Sequence, residues 1–217
     1  NNCNITSTTA YCVAVNPFNK VYINGGVYAT TNKDACINVN GENAYCEIRS
    51  GSFTSNQNCA ARAYGAGATL DIYDGEFYYT GTAGGSAIRG GTKDKGGTIN
   101  IHGGVFSSAG TEYAVINGVH ADSVITINAG KFINAGTAVI PVYTKTGSAG
   151  TDSIDFPEGQ KEFVLGNPTP SDTTTENKPG DTTTENKPGD TTTENKPGDT
   201  TTENKPGDNT TTESKPT

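Results

Sequence analysis

"INIHGGVF" occupies residues 99–106 and "ITINAGKF" residues 125–132. The two share their alternation, an Ile at position three, a Gly at position six and a closing Phe. The phrase occurs three more times upstream, as "VYINGGVY" (21–28), "CEIRSGSF" (46–53) and "LDIYDGEF" (70–77). Position three is always Ile: Ile23, Ile48, Ile72, Ile101 and Ile127. Position six is always Gly (Gly26, Gly51, Gly75, Gly104, Gly130), and position eight is always aromatic (Tyr28, Phe53, Phe77, Phe106, Phe132). Successive glycines are 25, 24, 29 and 26 residues apart, the mark of a repeat architecture.

Each column has a physical reading. Positions one and three are apolar while two and four are mostly polar, the period-2 pattern of a strand with one buried face. A Gly at a fixed corner allows a positive φ that a Cβ would oppose. The aromatic two residues later points inward again and is expected to stack on its counterparts in the neighbouring copies. A second, weaker strand is expected between phrases, at "CVAVN" (12–16), "CINVNG" (36–41), "SAIRGG" (86–91), "AVINGV" (114–119) and "AVIPVY" (138–143). Strands this short cannot bury a face alone, so successive copies must stack in parallel, one rung every ~4.8 Å.

A turn of about 25 residues with an Ile–x–x–Gly–x–aromatic corner resembles the right-handed parallel β-helix shared by pectate lyases and many bacterial cell-surface or secreted proteins. The resemblance covers roughly residues 8–150. The fold class expected is all-β, a right-handed parallel β-helix of about five to six coils followed by a disordered low-complexity tail. An antiparallel sandwich is the alternative, but it does not require Ile, Gly and an aromatic in register in every unit.

The β-helix domain is expected over residues 1–166, end-capping segments included. "TAYCVAVN" aligns with the second strand of a coil whose first strand is missing, which points either to further N-terminal coils or to a cap over residues 1–20. At the other end "TDSIDFPEGQKEFVLG" (151–166) breaks the pattern with charge and a Pro, as a cap that prevents edge pairing should. Residues 167–217 read as a linker: from Asp172 the nonapeptide "DTTTENKPG" runs four times and then decays. No aromatic or aliphatic residue follows Leu165, so nothing there can form a core. Extended at ~3.1 Å per residue, the repeats would reach roughly 140 Å, and they resemble the wall-spanning linkers of Gram-positive surface proteins.

Net charge is −8 over 217 residues, with no Lys/Arg stripe, so no nucleic-acid partner is expected. The longest apolar run is about six residues, far below the ~20 that span a bilayer, so no membrane insertion is expected. The chain opens without Met or a signal-like segment, as a mature or excised piece would. Five cysteines (Cys3, Cys12, Cys36, Cys46, Cys59) contain no C-x-x-C pair. They read either as extracellular disulfides or as buried thiols acting as small hydrophobes, with Cys12 and Cys36 in one column, a rung apart.

Stacking also aligns the outward positions. Position two reads Tyr22, Glu47, Asp71, Asn100, Thr126, and position four reads Asn24, Arg49, Tyr73, His102, Asn128. Glu47, Arg49, Asp71, Tyr73 and His102 therefore crowd one outer face and form the candidate ligand-binding set. Two carboxylates one rung apart should raise each other's pKa and are a possible acid–base pair on a polysaccharide. Arg49 suits an acidic sugar and Tyr73 a ring face. The Asp or Asp/Arg clusters of the β-helix lyases and hydrolases have no residue-by-residue match here, so no catalytic residue is assigned. "DIYDGE" (71–76) lacks calcium-loop spacing, and "GGSAIRGGTKDKGG" (84–97) lacks the strand and helix that flank a phosphate loop. No metal and no cofactor is expected.

The function expected is recognition or adhesion by a monomeric module, displayed at the cell surface or secreted, whose partner is a carbohydrate or a host or cell-surface protein. A β-helix polysaccharide lyase or hydrolase, and a structural spacer within a larger surface protein, are the alternatives.

Overall fold

Alternating apolar residues punctuated by Gly at the corners give strands and turns throughout. The computed structural model describes residues 3–111, 115–138, 143–145 (backbone only) and 159–166. Contacts divide the chain into Asn1–Thr174 and Thr175–Thr217. The repeat tail, its expected disorder and the expected boundary at 166/167 lie outside the described residues.

The turns share one plan. After β1 (Asn4–Ser7), β2 (Val13–Val15) leads into the long β3 (Lys20–Thr30), and β4 (Ile37–Asn40) into the long β5 (Tyr45–Ser55). In later turns the long strand divides at the phrase's Gly corner. β6 (Cys59–Tyr64) precedes β7 (Thr69–Ile72) and β8 (Glu76–Tyr79), and β9 (Ser86–Gly90) precedes β10 (Thr98–Ile101) and β11 (Val105–Ser108). β12 (Ile116–Gly118) precedes β13 (Val124–Ile127) and β14 (Gly130–Asn134), and β15 (Tyr143–Lys145) and β16 (Glu162–Leu165) complete the described strands. The described residues form an all-β solenoid of about five turns, with every described strand parallel to its neighbours except β16.

Two sheets wrap one core. The first runs β13-β10-β7-β5 on one side of the corner and β5-β8-β11-β14-β16 on the other, with β3 and β1 stacked beyond β5. The second runs β15-β12-β9-β6-β4-β2. Ile23, Ile48, Ile72, Ile101 and Ile127 fall in one register column. The aromatics fall in another, Tyr28–Phe53–Phe77–Phe106–Phe132, with neighbouring centroids 4.8–5.2 Å apart and rings within 15° of parallel. That spacing equals one rung, so the rings form a continuous buried stack. Fully burying a side chain of this class is worth about 1.5–3 kcal/mol.

The corner glycines are required twice over. Gly75 has φ +125°, and a Cβ there would lie 3.0 Å from the Gly51 carbonyl oxygen. The Gly75 carbonyl in turn accepts from the Val105 N–H at 2.8 Å. A side chain would therefore press on the carbonyl column that carries the inter-rung ladder.

Three expectations need correction or extension. β6 was not foreseen, because its inward residues Ala61 and Ala63 look unlike the Val and Ile of its neighbours, although they pair in register with Ile37 and Val39. Residues 4–7 are not outside the repeat: β1 pairs with β3, placing Ile5 beside Tyr28 in the aromatic column. Of "AVIPVY", residues 139–142 lie outside the described residues, and β15 starts at Tyr143, opposite Ile116. At the far edge β16 pairs antiparallel with β14 and sets Phe163 on Phe132 at 6.4 Å. The predicted C-terminal segment thus extends the aromatic column while reversing strand direction.

Cys36, Cys46 and Cys59 are buried free thiols, and Cys36 and Cys46 belong to the hydrophobic core. Cys12 lies a rung from Cys36 as predicted, its N–H donating to the Cys36 carbonyl at 2.9 Å.

Candidate functional site

The outer face of the strands before the corner carries three side-chain columns. Column zero is Lys20, Tyr45, Thr69, Thr98, Val124; column two is Tyr22, Glu47, Asp71, Asn100, Thr126. Column two has the register that the repeat predicts. Column four departs at its first rung. Ile23 pairs with Ile48 but Asn24 pairs with Ser50, so Arg49 is the extra residue of a bulge and has no partner in β3. A bulge re-aims the side chain it carries. Arg49 turns back along its own strand, and its Nε donates to Glu47 Oε1 at 2.6 Å.

A polar chain crosses three rungs from there. Tyr45 Oη lies 3.0 Å from Glu47 Oε2 and 2.8 Å from Asp71 Oδ2. Asn100 Nδ2 donates to Asp71 Oδ1 at 2.7 Å. The phenol has one proton for two carboxylates, so it donates to only one of them at a time. Glu47 is 7% exposed, while its partner Arg49 has a side chain 67% exposed.

The expected mutual elevation of the two carboxyl pKa values does not hold for Glu47. Hydrogen bonding from Arg49, and then from Tyr45, outweighs its desolvation and holds it below the usual carboxylate range. The Tyr45 phenol is pushed up, first by burial and then by its bonds to Asp71 and Glu47, so it stays protonated. Arg49 is raised by its bond to Glu47.

Aromatic surface borders this network. Tyr22 is 58% exposed and tilts against Tyr45 at 6.0 Å, and Lys20 Nζ lies 6.0 Å from the Tyr45 centroid. Tyr73, 46% exposed, stacks on His102 at 4.7 Å. His102 Nδ1 is 3.2 Å from Asn128 Nδ2. The five predicted residues thus share one face as two groups, a Glu47–Arg49–Asp71 chain linked through Tyr45 and a Tyr73–His102 plate. Sequence reasoning missed Tyr45, the residue that joins the carboxylates. The signal was available, since Tyr45 stands two before Glu47 and alternation places both outward.

A groove of about 490 Å³ lies elsewhere, at the corner between the second sheet and the next phrase, walled by Glu42, Asp94, Lys95, His120 and Asp122. The glycine-rich stretch 84–97 supplies β9 and part of this wall. None of the five predicted residues lines it. Among the described residues no helix is long and apolar enough to cross a membrane. No protein-family model, curated protein or solved structure matches this chain.

Proposed function

We propose that the protein is a recognition module that binds carbohydrate on the outer face of its first sheet. The observation that carries the reading is the combination of exposed Tyr22 and Tyr73 rings with the fixed Arg49–Glu47–Tyr45–Asp71–Asn100 chain between them. A sugar offers apolar ring faces to aromatic rings and hydroxyls to carboxylates and amides, and this face holds both at rung spacing. Because its polar groups are already paired, the face is preorganised, which lowers the ordering cost of binding. Display outside the cell, as a bacterial surface or secreted protein, belongs to the same reading. It rests on the acidic Thr/Pro repeat after Ser171, whose composition suits an extended linker.

The test is retention of the full chain on a panel of neutral plant, host and bacterial polysaccharides, with release of new sugar ends followed in the same samples. Retention without release is expected, weakened several-fold by Tyr22→Ala or Tyr73→Ala at about 1 kcal/mol per ring. Release of sugar ends would replace this reading with a lyase or hydrolase and make Glu47 and Asp71 the first residues to substitute. Absence of both signals would leave a structural spacer.

A further inference from the structure

The second sheet has an outer face of its own. Alternation along β2, β4, β6, β9 and β12 sends Ala14, Asn38, Arg62, Arg89 and Asn117 into one register column between strands of buried Ile, Val and Ala. Arg62 and Arg89 are therefore direct neighbours, one rung apart. Like charges placed directly opposite on adjacent strands are destabilising unless something compensates them. Among the described residues no carboxylate lies within salt-bridge distance of either guanidinium; the four ion pairs present use Arg49, Lys93, His120 and Lys131.

What holds the two arginines is neutral. Arg62 donates from Nε to Asn38 Oδ1 at 2.6 Å and from Nη2 to Tyr11 Oη at 3.4 Å. Its Cζ lies 5.0 Å from the Tyr64 ring centroid and 5.7 Å from that of Tyr11, so two aromatic rings hold the fork. Arg89 donates from Nη1 to Asn58 Oδ1 at 3.2 Å. Five N–H groups per guanidinium make ten, and these three bonds leave seven without a protein acceptor among the described residues. One of them, Arg89 Nε–H, is buried and unpartnered, as are Asn38 Nδ2 and Asn117 Oδ1. Both asparagines are at least 97% buried, being 1% and 3% exposed. Asn38 stands beside Arg62 and Asn117 beside Arg89, so each end of the arginine pair carries an unpaired polar group, and such groups are costly to leave without a partner.

We infer that Arg62 and Arg89 form an oxyanion site that takes the carboxylate or sulfate of an acidic sugar. Two adjacent guanidinium forks suit a group with two or more anionic oxygens, which they can bind bidentately. Tyr11 and Tyr64, which flank Arg62, offer apolar ring surface beside it. The site lies on a different sheet from the Tyr22–Tyr73 face and stands independently of that reading.

The experiment uses the full 217-residue chain and three polymers of similar size. These are oligogalacturonate, carrying only carboxylates, dextran sulfate, carrying only sulfates, and uncharged dextran. At low salt the chain is expected to be retained on one or both charged polymers more strongly than on dextran, and the polymer preferred identifies the oxyanion. Arg62→Gln and Arg89→Gln should each weaken that retention at least about tenfold. Lys93→Gln, which removes the same charge from an exposed loop, should not. Circular dichroism checks that each variant keeps its strands. Should a glutamine variant lose them, dicarbonyl modification of the wild-type chain replaces it. Charged polymer should then protect Arg62 and Arg89, read by peptide mass mapping. Equal retention on all three polymers, retention indifferent to both arginine variants, or arginines modified alike with and without polymer would overturn the assignment. Loss of binding to neutral polysaccharides alone would leave it standing and sink only the first-sheet reading.

Discussion

Glu47 shows how one residue's surroundings set its chemistry. Outward on a strand and one rung from Asp71, it looks from sequence like half of a carboxylate pair with raised pKa values. The bulge at Arg49 reverses that, because the re-aimed guanidinium donates directly to it. A carboxyl whose folded pKa is depressed contributes stability that is fully present above the unfolded value, about 4.3, and is lost as pH falls through the folded value. Thermal melts from neutral pH into acid should therefore stay level to roughly pH 4 and then decline. In Glu47→Gln the acid decline should be shallower, since that titrating group is gone. An identical decline in both proteins would mean that other carboxylates carry the acid response. The bulge was not legible in the sequence, and the Tyr45 bridge was legible but missed. A one-residue insertion leaves the Ile and Gly columns unchanged, and the bridge becomes visible only once the column before the phrase is read as outward.

Among the elements, the corner and the ring stack do the most to fix the register. Gly75→Ala should destabilise by at least about 2–3 kcal/mol, since it combines a disallowed φ with pressure on the Gly51 carbonyl. Gly159 is the control: it too has positive φ, +75°, but nothing lies within 4 Å of a Cβ there, so alanine should cost only about 1 kcal/mol. Along the stack, Phe77→Ala leaves a cavity between Phe53 and Phe106 and should cost about 3–5 kcal/mol. Phe163→Ala, at the end on β16 and only half-buried, should cost clearly less. Urea unfolding of the four variants measures all of these. The Ile, Gly and aromatic columns were fully legible because each column has one physical job repeated on every rung. β6 was not, because alanine at its inward positions satisfies the same space without a strand-like signature, and neither was β1, where Ile5 stands in for an aromatic without a Gly before it.

At the scale of the whole molecule, strands pair rung on rung along both sheets, so the core is a column running through the stacked turns. The thiols report on that column. Cys46 is pushed up to about 12 and Cys59 to about 11, chiefly by burial, and Cys36 is raised by burial and by its neighbour Cys12. Since the thiolate is the reactive form, these three should resist a thiol reagent in the native state and react only on unfolding. Exposed Cys3 should react at once. Fast labelling of Cys36, Cys46 or Cys59 without denaturant would show that the column opens readily. The same column carries both proposed binding faces, because in-register stacking is what brings Glu47 to Asp71 and Arg62 to Arg89.

Ring-to-ring nuclear Overhauser effects in protein labelled at Phe and Tyr report on this in-register stacking. Cross-peaks are expected linking Tyr28 to Phe53, Phe53 to Phe77, Phe77 to Phe106 and Phe106 to Phe132, each pair 24–29 residues apart, with no cross-peak that skips a rung. An antiparallel pairing of the same strands would break this chain order, and cross-peaks between non-consecutive rings in place of it would contradict the solenoid and both faces built on it.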